Sequence, residues 1–279
     1  QPVIKNEYIS SSGNTILGAD NKAALSCLLT AVEKYLTTRN QKAFELLFTV
    51  KEETGGGIEY FPFSWIKSKS AYIFDGAKPL GGIVLRSPYI INFSAEIIGK
   101  AAHSSAPEKG INALTATTSI LNKITCGKLD NGESTINIGL INGGTGINTI
   151  PEKIYLTGEI RSYQKILFKK HLNIIEKIFK AAKINGIKID FKTDGYCPGY
   201  SHNKNLMQIK KLNRTFSHLQ LKTRYYYFSG VSDANILNSV GIQIINVCDG
   251  VIDPHTTREK INTTSLYFLH KIILNLISD

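Results

Sequence analysis

The segment FELLFTVKEETGGG (residues 44–57) ends a mostly apolar run in two adjacent carboxylates, Glu52 and Glu53, and then in a run of glycines. Related placements recur elsewhere. Asp75 follows AYIF (71–74), Asp20 closes the short apolar run of ILGAD (16–20), and His255 lies in the loop after GIQIINV (241–247). Open α/β sheets bind ligands beyond the carboxyl ends of their strands, so acids and a histidine at such an edge are candidates for chemistry. Like charges gathered there repel, and a divalent metal ion is the simplest compensation. Carboxylates with imidazole suit zinc, and a pair of zinc ions needs a bridging carboxylate. Asp20, short and at a strand-to-helix turn, is the natural bridge. Each residue has a simpler role taken singly: Asp20 as a helix N-cap, Glu52 and Glu53 as solvated loop charges, Asp75 as a turn residue, His255 as a surface histidine. Their recurrence at corresponding positions of one α/β layer is what favours the metal.

The elements that must position these residues fall into two kinds. From Asp20, Leu25, Leu28, Leu29, Val32 and Leu36 recur at the spacing of one helix face. AFELLFTV (43–50) has the unbroken apolar character of a strand buried on both sides, and SAYIFDG (70–76) repeats it. RYYYFS (224–229), a helix over SDANILNSV (232–240), the strand GIQIINV and a last helix near 263–277 resume this α/β alternation. The middle of the chain differs. An alternating strand YIINFSAEIIG, a helix near 110–124, strands STINIGLIN and KIYLTGEIRSY, a basic helix over 164–185 and a strand GIKIDFKT give the order βαββαβ, a split ferredoxin-like unit. The expected organisation is an α/β domain, residues 1–87 and 194–279, interrupted by an α+β domain at 88–193.

Bulk composition narrows the classes. The chain has 279 residues, 42% hydrophobic, enough for a large core. No apolar stretch is long enough to span a bilayer and the first residues, QPVIKNEYISSS, carry no signal-peptide pattern, so no membrane association is expected and the cytoplasm is the default location. Four scattered cysteines without a C-x-x-C pair frame neither a disulfide scaffold nor a thiolate metal site. The net charge of +11 comes mainly from lysines spread through an Ile- and Asn-rich chain, a bias that a skewed genome also produces, so nucleic acid is not the expected partner.

In family order, TILGADNKAAL, LLFTVKEETGGG, IFDGAKPLGG, GKAAHSSAPEKGINAL, INGGTGINTIPEKIYLTGEIRS, SGVSDANILNSVGI and DPHTTREKI resemble the dizinc aminopeptidase, aminoacylase and carboxypeptidase G family, and above all its peptidase T-like branch. The resemblance implies a zinc-peptidase-like α/β sandwich with an inserted ferredoxin-like lid or dimerisation domain, hydrolysing bonds in short peptides with two zinc ions. It makes Asp20 the bridging ligand, Glu53 and His255 ligands of one metal, Asp75 a ligand of the other, and Glu52 the general base. It also makes His103 an oxyanion-stabilising group, in some relatives supplied by a neighbouring subunit of a homodimer, and gives Asn148 and Arg161 the substrate backbone and carboxylate. Without it, those three read as a strand-end histidine, a turn asparagine and a strand-face arginine. Relatives carry an upstream H-x-D motif that this chain does not contain, its first histidine being His103. The expectation is therefore that the chain starts just after that motif, with the Asp20–Asp75 site short of a histidine and the activity of the chain alone reduced. N-acyl amino acids are the alternative substrate class.

Overall fold

The computed structural model describes residues 1–39, 41–182 and 184–278. The chain forms two compact units, Gln1–Ser87 with Tyr200–Asp279, and Pro88–Gly199.

The first unit contains β1 (Pro2–Lys5), β2 (Tyr8–Ser11), α1 (Ala19–Leu36), β3 (Ser70–Gly76) and β4 (Gly82–Ser87). The second contains β5 (Tyr89–Ile98), α2 (Ala113–Leu121), β6 (Gly127–Leu129), β7 (Ser134–Gly143), β8 (Lys153–Ser162), α3 (Lys165–Ala181) and β9 (Lys188–Cys197). The chain then completes the first unit with β10 (Tyr200–Ser201), α4 (Met207–His218), β11 (Arg224–Tyr227), α5 (Asp233–Ser239), β12 (Gln243–Cys248), β13 (Val251–Ile252), β14 (Lys260–Asn262) and α6 (Thr263–Ser278).

The main sheet of the first unit runs β10-β4-β12-β3, with β11 parallel to β4 and β12 parallel to β3. Side chains alternate across it. Ile83, Leu85, Ile245 and Val247 meet α1, α4 and α6 through Ala31, Leu212, Phe216 and Ile272, while Val84, Ile244 and Cys248 meet α5 through Ala234 and Leu237. Helices therefore cover both faces, the arrangement expected of apolar strands at the centre of an α/β layer. A small antiparallel sheet, β1-β2-β14-β13, holds the loop that carries His255.

Two expectations need correction. AFELLFTV forms no ladder: residues 41–49 have no regular secondary structure, and Leu46, Phe48 and Val50 stand exposed. Its tie to the following segment is made by Glu45, whose carboxylate accepts N–H bonds from Lys67 and Ser68 at 2.7–3.1 Å, with Leu47 packed in the same cluster as Ile66 and Ile73. An apolar run becomes a strand only where a partner offers backbone donors and acceptors, and no described strand takes that place. The buried face of α1 is not the one its leucines mark. α1 buries Ala24, Cys27, Ala31 and Tyr35, leaving Leu25, Leu29 and Leu36 exposed. Small side chains on that face suit close packing of α1 with α6.

The second unit is the ferredoxin-like order, its five-stranded antiparallel sheet running β6-β7-β8-β5-β9. β5 pairs with β8 along its whole length, Tyr89 opposite Ser162 and Ile98 opposite Lys153. Phe93, Ala95, Ile97, Leu156 and Ile160 point to the helices, where Ile120, Ile175 and Phe179 meet them. The opposite sheet face is polar, with a cavity of about 400 Å³ lined by Asn92, Ser94, Asn137, Tyr155, Thr157 and Glu159 among others. None of the sequence-derived site residues lines it.

Candidate metal centre

Asp20 does not cap α1. The N-cap position is Gly18, in the left-handed region at φ 73°, and Asp20 and Asn21 keep non-helical backbone angles, so regular turns begin after them. Asp20 thereby faces the loop between β13 and β14. His255 also takes a positive φ, 61°, unusual for a residue with a Cβ. Its Nε2 lies 3.3 Å from Asp20 Oδ2 and 3.0 Å from Glu53 Oε2. One ligand atom from each of Asp20, Glu53 and His255 falls within 4.8 Å of the others. Two carboxylates and an imidazole at this spacing fit a divalent transition ion such as zinc, which takes three protein ligands where a site keeps an open position.

Glu52 and Asp75 form the adjoining part of the cluster. Glu52 opens a short 3-10 turn, Glu52–Thr54, rather than ending a strand, and shares a hydrogen bond with Asp75. Burial, followed by the charges of Asp233, Glu53 and Asp20, pushes its carboxyl up to about 7. Asp75, at the end of β3, is pushed up to about 9, first by burial and then by Glu52, Asp20, Asp249 and Glu53. Carboxyls pushed up by burial and by one another are what a nearby dication would bring back down. Asp75 stands outside the three-residue group formed by Asp20, Glu53 and His255.

Several supporting residues escaped the sequence reading. Asn246 of β12 is buried and holds the Asp75 backbone on both sides: the Asp75 N–H donates to its Oδ1 and its Nδ2 donates to the Asp75 carbonyl, each at 3.2 Å. Asn21 Nδ2 donates to the Phe74 carbonyl, joining the start of α1 to the end of β3. Asp249 is fully buried with Oδ2 unpartnered, and burial, Asp20 and Glu259 together push it up to about 7 despite an N–H from Val251. Polar residues inside apolar strand sequences, Asn246 in QIINVC and Asp249 just after it, were the available signal.

The remaining three site residues belong to the second unit. His103 and Asn148 are stitched together by backbone bonds from Ser104 to Asn148 at 2.9 Å and from Ile150 to Ala102 at 2.8 Å. His103 Nδ1 lies 2.7 Å from the Ser105 hydroxyl and accepts the Ser105 N–H at 3.2 Å, a pattern that suits the tautomer with its proton on Nε2. Arg161 sits elsewhere. It is the penultimate residue of β8, eight strand positions or about 26 Å from Lys153, and Asn148 lies beyond that far end. Its guanidinium is bidentate to Glu159, with both bonds at 2.8 Å.

Residues 88–187 match the family model described as the peptidase dimerisation domain of the M20 peptidases. A solved tripeptidase of Staphylococcus aureus superposes with a TM-score of 0.93 at 29% identity, covering 99% of this chain and 75% of its own. The aminopeptidase PepT of Bacillus cereus gives 0.92 at 29% identity, covering 100% and 76%. In sequence, the Bacillus subtilis protein YqjE is 28% identical over 284 residues, 100% of this chain and 76% of that protein.

Proposed function

We propose that this chain, whose inserted unit matches the M20 peptidase dimerisation domain and whose whole length is similar to peptidase T-like tripeptidases, is a metallopeptidase that removes residues from the amino termini of short peptides with zinc as its metal. The observation that carries this reading is the meeting of Asp20, Glu53 and His255, with Glu52 next to them and outside the ligand group. In this reading Asp20, Glu53 and His255 hold one ion, and Asp20 with Asp75 offers carboxylates to a second. A bound zinc ion supplies a Lewis acid that polarises the scissile carbonyl and brings the pKa of water toward 7.

The chain's own residues do the rest. Glu52 takes the proton from the attacking water and passes it to the leaving amine, so it has to be ionised at the start of each turnover. Compensation of the surrounding carboxylates lowers its pKa from the raised value and makes that state available near neutral pH. Neighbouring side chains diverge along the chain, which lets Glu53 ligate while Glu52 stays free. Gly55 and Gly56 take positive φ, 70° and 79°, and a Cβ at Gly57 would strike the Val50 carbonyl, so glycine is what lets the chain turn after Glu53.

His103, through the Nε2 proton, is proposed as an oxyanion donor, Asn148 as a partner for the substrate backbone and Arg161 as the partner of its carboxylate. A tripeptide spans at most about 11 Å, so Asn148 and Arg161 of one copy cannot grip the same substrate molecule. We therefore include a homodimer in the proposal, with one group from each copy. The outer edge of β7 supports it: β6 covers only Ser134–Ile136, and Leu140 and Ile141 beyond it are exposed.

The test is a substrate panel with and without a chelator. Tripeptides with free amino termini are expected to be cleaved, their N-acetylated forms and N-acyl amino acids to be poor substrates, and chelation to abolish turnover. Cleavage restricted to N-acyl amino acids would replace the peptidase reading with the deacylase one.

A further inference from the structure

Glu259 is 1% exposed and lies four residues beyond His255, just before β14. Its two carboxylate oxygens are used separately. Oε2 accepts the Gly18 N–H at 2.5 Å and Oε1 accepts the Asp20 N–H at 3.0 Å. One side chain thus ties the segment that carries His255 to the turn that carries Asp20, more than 230 residues away in sequence. It also supplies what Gly18 cannot, since the N-cap residue of α1 has no side chain to accept from the first turn. A carboxylate there meets the positive end of the helix.

We propose that Glu259 is a positioning residue for the metal centre: through the Gly18 and Asp20 amides it fixes the non-helical turn that aims the Asp20 carboxylate at His255 and Glu53. This rests on the reading of those three residues as metal ligands. Replacing the carboxylate by a carboxamide keeps the size, leaves one acceptor for two amides, and sets an NH2 group against the second donor. A merely structural role predicts lost stability alone; a positioning role predicts a changed metal site in protein that is still folded.

The experiment titrates Co2+ into the metal-free protein and reads its visible absorption, for wild type, Glu259→Gln and Ile261→Ala. Ile261 is buried in β14 and packs with Ala19, Ala23 and Val251, so its variant loosens the same region without removing a hydrogen bond and reports the effect of destabilisation. Glu259→Gln is expected to weaken Co2+ binding by about 10- to 100-fold and to alter the spectrum, as loss of groups that orient metal ligands does, while Ile261→Ala melts earlier and binds as wild type. Glu259→Gln with wild-type affinity and spectrum overturns the proposal, and so does an equal loss in Ile261→Ala. If Glu259→Gln does not fold, Glu259→Asp, which keeps the charge but is one methylene short, takes its place with the same two outcomes. Failure of the wild type to bind Co2+ would instead overturn the metal reading itself.

Discussion

The two units treat charge in opposite ways. In the inserted unit acids meet bases: Glu159 pairs with Arg161, Glu96 with Lys153, Asp190 with Lys192, Glu176 with Lys180, and Asp130 with the buried His171. The His171 hydrogen bond, helped by Ser134, holds the Asp130 carboxyl below its usual range. At the sheet edge of the first unit acids meet acids. Glu52, Asp75 and Asp249 are all pushed upward by burial and by one another's neighbours. Charges neutralised inside the chain serve folding; charges left for a dication to neutralise serve chemistry, at a cost in stability while the ion is absent.

The contrast is most sharply tested at Glu52. Glu52→Gln is expected to lower peptide hydrolysis by about 10²- to 10⁴-fold while zinc affinity stays within a few-fold of wild type, because the residue moves protons without ligating. A variant that loses zinc in parallel with activity would make Glu52 a ligand. A smaller effect is expected across the contrast, in the inserted unit. Arg161→Ala should lower kcat/KM by about 10- to 100-fold, the scale of a lost charged hydrogen bond, with zinc content unchanged. Unchanged kinetics would return Arg161 to a purely structural pair with Glu159.

The smallest effect is one of slope. A carboxyl whose folded pKa lies above its unfolded value keeps a proton that the unfolded chain releases, so folding weakens as pH rises through that interval. For Glu52, Asp75 and Asp249 the interval runs from the usual carboxylate range up to about 7 for Glu52 and Asp249 and about 9 for Asp75. Metal-free protein should therefore lose Tm from about pH 4 to about pH 9, and Asp75→Asn should flatten the fall, most of all above pH 7. A slope untouched by Asp75→Asn would show that the cluster is not its source.

Legibility in the sequence followed the range of the forces involved. The inserted unit was readable because strict alternation in YIINFSAEII and KIYLTGEIRS reports which face each residue takes, and its strands find partners within the same unit. FELLFTV was misread because its apolar character says nothing about whether a neighbouring strand exists. The leucines of α1 share the spacing of one helix face, yet close helix packing selects the face of Ala24, Cys27 and Ala31 for burial. Among the site residues, short motifs led to the convergent acids and to His255. Glu259, whose bonds run to backbone groups about 240 positions away, left no local pattern to read, and Asn246, bonded to a group 171 positions away, showed only as a polar residue inside an apolar strand.

The most direct measurement is calorimetric titration of zinc into metal-free wild type and His255→Ala. Wild type is expected to bind zinc and His255→Ala to lose affinity on the order of a hundredfold, since Asp20 and Glu53 alone leave the ion two carboxylates. Equal affinity in the two proteins would contradict the reading of His255 as a ligand.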